Sequence, residues 1–280
     1  MRTCLRAPAG VLAARAPGSV RRAALVVALA AAFFAGTGLL AVVGGAGPLA
    51  AWRQLADGSL GSPAALGETL LRFAPMAMVA AGLAPGLRAG LFNVGSPGQM
   101  GVGALAAAMI AIHLPSPGGL TIVVALAAAA AGGALWSALA AELYVRWGAN
   151  EIISTLALNF VAASLLGYLL SEPLQPVGAN IAQSDPIDVH SHLPVIIGGT
   201  RANAGIVLTL AAAAALAVFN RTPAGYRLRM FGENRRLARQ AAIDGRGIVR
   251  ATMAVAGAAA GLAGANQVVT EHLNSLNLPA

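Results

Sequence analysis

The sequence predicts an all-α, polytopic membrane helix bundle of about seven spans, and three observations carry that expectation. Hydrophobic residues make up 58 % of the chain and charged residues 10 %, where a soluble domain carries about 25 % charged. Residues 89–141 contain no Asp, Glu, Lys or Arg, a run long enough for two crossings of a hydrocarbon core roughly 30 Å thick. The remaining charge is concentrated: residues 220–250 hold eight arginines and two acids (Glu233, Asp244), and so supply +6 of a net +8.

The composition also excludes function classes. All 18 basic residues are Arg, so the chain has no Lys for a phosphate-cradling GxxxxGK[ST] loop, and any ATP that drives it is bound and hydrolysed by another subunit. No cofactor is expected on this chain. The single cysteine, Cys4, supports neither a disulfide framework nor a Cys-based metal site. A basic balance points to nucleic acid in a soluble protein, but these arginines fall on loops as membrane topology requires, and nucleic acid is not an expected partner.

In chain order, residues 1–22 read as an Arg-rich cytoplasmic tail, and residues 23–280 as the membrane domain. Residues 23–43 are uncharged and long enough to span; the apolar region of a cleaved signal peptide is shorter, about 7–15 residues. Residues 44–67 suit an outer loop with Trp52 as an interface anchor. Residues 68–87 form a second span that Pro75 and Pro85 should kink or break. Glu68 and Arg72, four apart, can pair at its end or serve transport.

The uncharged run is cut into a hairpin by Pro115-Ser116-Pro117-Gly118-Gly119. Its first half begins in LFNVGSPGQMGVG (91–103), where Ser96 is a candidate N-cap and Pro97 suits a first helical position. A helix start inside an apolar context can turn its N–H groups to a ligand, with Asn93 and Gln99 beside it. The same residues also serve as glue, small glycines and amides joining neighbouring helices. The outgoing helix, 120–141, ends at Glu142, Arg146 and Trp147. In GANEIISTLALNF (148–160), Asn150 and Glu151 cap the next span or gate a path. Ser154, Thr155 and Asn159 follow, facing a path or bonding to other helices.

Residues 172–201, with Glu172, Asp185 and Asp188 against Arg201, form the longest outer segment and a docking surface for an external partner. His190 and His192 are too few for a metal site, and none is expected. Residues 202–219 and 251–270 complete the spans, the last carrying the Gly257-xxx-Gly261 packing motif. With the amino terminus inside, 15 of the 18 arginines lie on the cytoplasmic side, which agrees with this count of crossings. Within the basic loop, FGENRRLARQAAIDG (231–245) has the chemistry of a short helix. Glu233 and Asn234 stand at its start, Leu237, Ala241 and Ala242 share a face, and Gly245 stands at its stop. Arg235, Arg236 and Arg239 surround that face, which fits a partner's groove or a surface of anionic lipid.

These motifs, LFNVGSPGQM, GANEIISTLALNF, TPAGYRLRMFGENRRLARQAAIDG and the Gly-rich AGAAAGLAG ending at Gly264, occur in the order and spacing of a known family. Over about residues 65–275 the chain resembles the inner-membrane permeases of bacterial ABC transporters for nucleosides and simple sugars. That resemblance implies a multi-pass protein of the bacterial inner membrane. It also implies a coupling helix within 220–250, with Glu233, Asn234 and Gly245 at matching positions, that seats in a separate ATP-binding subunit. Partners would be two ATP-binding subunits, a second permease chain in a homo- or heterodimer, and an extracytoplasmic substrate-binding protein. Asn93, Gln99 and Asn159 match polar positions of the family. Two departures stand out. Ser96-Pro97 replaces a pair that in many relatives ends in an acid, and relatives continue past GLAGANQVV with further spans, so this chain reads as shortened, through truncation or with completion by a partner.

Branched-chain amino-acid permeases are the alternative substrate class within that reading. Outside it, a secondary transporter lacks an ionisable coupling group at depth, and a membrane-anchored interaction protein is the other class. Uncharged polar side chains suit nucleosides and sugars equally.

Overall fold

The computed structural model describes residues 18–114, 119–176, 178, 184–187 and 192–268. Most of the expected tail, the hairpin tip at 115–118, Asp188, His190 and residues 269–270 of the last predicted span lie outside the described residues. The chain divides into two compact units, Met1–Ser62 and Pro63–Ala280.

The first unit contains α1 (Gly18–Val43) and α2 (Pro48–Leu60). Helix α1 takes in residues 18–22 of the expected tail, and its stretch Ala24–Val43 is long and apolar enough to cross a membrane. The expected loop at 44–67 instead contains α2, which starts with Pro48 at a position where a missing N–H costs nothing. Trp52, expected in a loop, lies on α2. Its Nε1–H donates to Thr37 Oγ1 at 3.1 Å, and its ring meets Phe34 edge-on at 5.6 Å.

The second unit holds α3 (Pro63–Arg88), α4 (Ser96–His113), α5 (Leu120–Trp147), α6 (Glu151–Ser171), α7 (Gly205–Phe219), α8 (Pro223–Glu233), α9 (Arg235–Gln240) and α10 (Gly245–Val268). Among the described residues five helices can cross a membrane by length and hydropathy: α1, α3, α5, α6 and α10. Helices α7 and α8 make a sixth span if their pair, bent by 77°, is counted as one. Helix α4, whose eighteen residues open with Ser96-Pro97-Gly98-Gln99, is not among these by hydropathy; since Ala89 at the end of α3 and Ala141 towards the end of α5 share one core, it still runs the length of the bundle between them. Helix α3 runs unbroken through Pro75 and Pro85. Glu68 does not pair with Arg72 on its own helix. It accepts from Arg201 Nη1 at 3.1 Å, a residue beside the isolated bridge between Val195 and Asn203.

Helix α10 is the hub, packed against α5, α4 and α3, and most of its span is buried inside the protein. Small residues make this possible. A Cβ on Gly257 would overlap the Gly133 carbonyl of α5, one on Gly261 the Ala129 carbonyl, and one on Gly264 the Met100 carbonyl of α4. Backbones this close exchange dispersion contacts that a larger side chain forbids. The buried Ser137 hydroxyl adds a 2.7 Å hydrogen bond from α5 to the Met253 carbonyl of α10. Thr209 of α7 donates to the Ala74 carbonyl of α3 at 3.0 Å.

Gly261→Leu should therefore destabilise the second unit by about 3 kcal/mol or more, the upper range for overpacking. Gly36→Ala, at a site with open space around it, should not destabilise; thermal unfolding in detergent distinguishes the two.

Candidate functional site

Two groups of the expected site residues occupy different places in the second unit. The first surrounds the start of α4. The chain leaves α3 at Arg88, turns through Gly90 at φ +69°, where a side chain would be strained, and runs as irregular backbone over 91–95. In an apolar medium such backbone must find partners within the protein, and α6 supplies them. Asn159 Nδ2 donates to the Val94 carbonyl at 2.9 Å, and its Oδ1 accepts from the Gly98 N–H at 2.9 Å. Thr155 Oγ1 accepts from the Val94 N–H at 3.3 Å and donates to the Glu151 carbonyl at 2.7 Å.

On the α4 side, Asn93 and Gln99 form a reciprocal amide pair with both bonds at 3.1 Å. Asn93 Oδ1 also accepts from the Gly95 N–H at 2.8 Å. Gln99 and Thr155 are almost fully buried. Four of the five pathway candidates, Asn93, Gln99, Thr155 and Asn159, thus meet in one network. Ser154 sits one position off and returns its hydroxyl to the Asn150 carbonyl at 2.9 Å. Ser96 is not the N-cap of α4. Gly95 takes that position, because Asn159 already accepts from the first turn, and the buried Ser96 Oγ has no hydrogen-bond partner. At the start of α6, Asn150 Oδ1 accepts from the N–H groups of Ile152 and Ile153 at 2.9 and 3.2 Å, and Glu151 occupies the first turn.

The second group lies at the arginine-rich end. The segment expected as one helix over 231–245 is divided. Glu233 closes α8, Asn234 leaves helical geometry, and its Oδ1 caps α9 through Arg236 N–H and Leu237 N–H at 3.0 and 3.1 Å. Helix α9 ends at Gln240, and the turn through Ala241 and Ala242 follows. Gly245 is therefore a start and not a stop: Asp244 Oδ1 accepts from the Arg246 N–H at 3.0 Å, and α10 begins there. Asp244 as a cap was the signal for this boundary. Helix α10 thus begins six residues ahead of the predicted span at 251.

Ala238 is the residue α9 buries, in a core with Ala89, Leu91, Ala141, Leu228, Phe231, Val249 and Met253. Glu233, Arg235, Arg236, Leu237, Arg239 and Ala241 remain exposed. Arg235 Nη1 donates to the Tyr144 hydroxyl at 2.7 Å and lies 5.3 Å from the Phe231 ring centre. Three further pairings lie at this end, two of them between residues distant in sequence. Arg250 donates to Glu142 through two nitrogens at 2.6 and 3.1 Å, Arg146 reaches the same carboxylate at 2.7 Å, and Arg88 bonds to Asn220. The Glu142–Arg146 spacing was visible in sequence; Arg250, placed in the loop, was not recognisable as the third member.

A multi-pass helical bundle, with irregular backbone held between helices and an exposed basic helix on a buried base, has the construction of a membrane permease. The chain belongs to the family described as "Branched-chain amino acid transport system / permease component", which matches residues 65–277. It is 31 % identical over 255 residues to the glucose ABC transporter permease protein of Haloferax volcanii, covering 87 % of this chain and 67 % of that protein. It is 30 % identical to the guanosine ABC transporter permease protein of Bacillus subtilis (81 % and 66 % covered). With the nucleoside ABC transporter permease protein of Lactococcus lactis the identity is 25 % (79 % and 63 % covered). The chain spans about two thirds of the length of these relatives. No solved structure matches it significantly.

Asn159→Ala should lower stability by about 1–3 kcal/mol, since it leaves the Val94 carbonyl and Gly98 N–H without their partner. Asn234→Ala should cost about 1 kcal/mol as a lost cap, read as faster hydrogen exchange confined to α9.

Proposed function

We propose that this chain is the membrane-spanning permease subunit of an ATP-driven importer for nucleosides or simple sugars. The observation that carries the reading is the similarity, across most of the chain, to relatives named as sugar and nucleoside ABC permeases. The site geometry supports it. Exposed Arg236, Leu237 and Arg239 on a helix anchored by Ala238 form a firm knob for a groove in an ATP-binding subunit, which would hydrolyse the ATP. Glu233, Asn234, Arg235, Ala241 and Gly245 shape the knob and its two exits. No cofactor is assigned to this chain.

The arginine-rich end faces the cytoplasm of the cell under the positive-inside rule, with the amino terminus on the same side and the protein in the plasma membrane. A second permease chain and an extracytoplasmic binding protein complete the importer, and anionic lipid borders the knob. Asn93, Gln99, Thr155 and Asn159, with Ser154 adjacent, border the solute path, while Asn150 and Glu151 stand at its cytoplasmic end as cap or gate. These side chains, apart from Glu151, carry no formal charge, which suits neutral hydroxyl-bearing solutes. Branched-chain amino acids are the second reading, favoured by the description of the matching family.

Uptake of labelled guanosine, glucose and leucine by cells carrying the chain with its ATP-binding subunit tests the assignment. Saturable guanosine or glucose uptake supports the proposal; leucine uptake alone shifts it to the second reading. Replacing residues 232–245 by Gly/Ser should abolish co-purification of a Walker-containing ATPase, whereas retention of the ATPase would remove the coupling role.

A further inference from the structure

We infer that the irregular segment 89–95 is the mechanical link between the arginine-rich knob and the polar network at the start of α4, with Leu91 as its positioning residue. The inference rests on the proposed importer function and deepens it. Both ends of the segment are fixed, and they are fixed in different places. At one end Ala89 and Leu91 are buried to within 2 %, in the same core as Ala238 of α9 and Phe231 of α8. Gly232 packs directly on the end of α3, where a Cβ would overlap the Arg88 carbonyl. At the other end Asn93 and Val94 make the hydrogen bonds to Gln99, Thr155 and Asn159, and the Gly95 N–H donates to Asn93 Oδ1.

Only Phe92, two Cα steps or about 7 Å of extended chain, separates Leu91 in the apolar core from Asn93 in the network. The segment is short and tethered at both ends, by Leu91 in the core and by both backbone groups of Val94, so little free chain remains to absorb a displacement. A shift of the knob against α3 therefore reaches the Val94 contacts and the first turn of α4, where Gly98 is held by Asn159. The link requires this helix end, bonded here to Asn159, to alternate between bonded and released arrangements. Coupling needs such an element, and spatial continuity alone does not supply it. Leu91 touches neither the partner subunit nor solute in this scheme; it transmits by occupying the core under α9.

Two measurements on the full chain test this. The first is a double-mutant cycle in thermal unfolding between Gly232→Ala at the knob and Asn159→Ala at the network. Independent sites add. If the segment links them, the Tm shift from Asn159→Ala is smaller on the Gly232→Ala background, because the Val94 contacts are already weakened; additive shifts overturn the inference. The second uses the complex with its ATP-binding subunit. Leu91→Ala should leave the subunit bound but lower uptake of guanosine or glucose about tenfold, within the usual span of coupling factors. Leu170→Ala, which removes the same volume from a fully buried site on α6, should lower it much less. Equal losses in the two variants overturn the inference. Leu91→Val, with an intermediate loss of uptake, serves if the alanine variant does not fold. If the unaltered chain binds no ATPase and takes up no solute, the importer reading falls, and the unfolding cycle still decides the link.

Discussion

The backbone contact of α10 with α5 and α4 is the constraint on which the second unit depends. Lipid chains are as apolar as leucine, so helices in a membrane gain little from burying hydrocarbon and associate through close packing and hydrogen bonds. At Gly133, Gly257, Gly261 and Gly264 no side chain separates the main chains, and the Ser137–Met253 hydrogen bond pins the same seam. With α10 fixed, α3 and α4 acquire a common wall, and α7 packs on α3 with its Gly205 against Asn266 of α10.

That packing allows the protein to keep broken backbone at depth. The gap between α3 and α4 exposes peptide groups that lipid cannot satisfy, and Asn159 and Thr155 satisfy them from α6. The polar residues here are thus first of all structural, and their arrangement places a cluster of amides where a helix starts. A path built beside such a cluster inherits its geometry from the fold.

At the arginine-rich end the logic changes from backbone to side chain. Glu142 gathers Arg146 and Arg250, and Tyr144 and Phe231 hold Arg235. Pairs this exposed are screened by solvent and contribute little to stability. Stability of the knob comes instead from the apolar core around Ala238, and the contacts of Arg235 with Tyr144 and Phe231 tie it to α5 and α8.

The sequence by itself determined the class, the helical content, the apolar runs and the polar motifs, because hydropathy and spacing are local properties. It placed Asn93, Gln99, Thr155 and Asn159 on their elements and located the basic helix. It did not reveal α2, hidden in a stretch read as loop, or the division of 231–245, where Asp244 caps α10 and makes Gly245 a start. Nor did it reveal that Glu68 pairs with Arg201, that Glu142 pairs with Arg250 as well as Arg146, or that Asn159 displaces Ser96 as acceptor for the α4 terminus. Each of those depends on which helix lies beside which, a matter decided by the glycine seam of α10. Partners 61 to 133 residues apart leave no periodicity in the chain to read, so only the tertiary structure could choose among them.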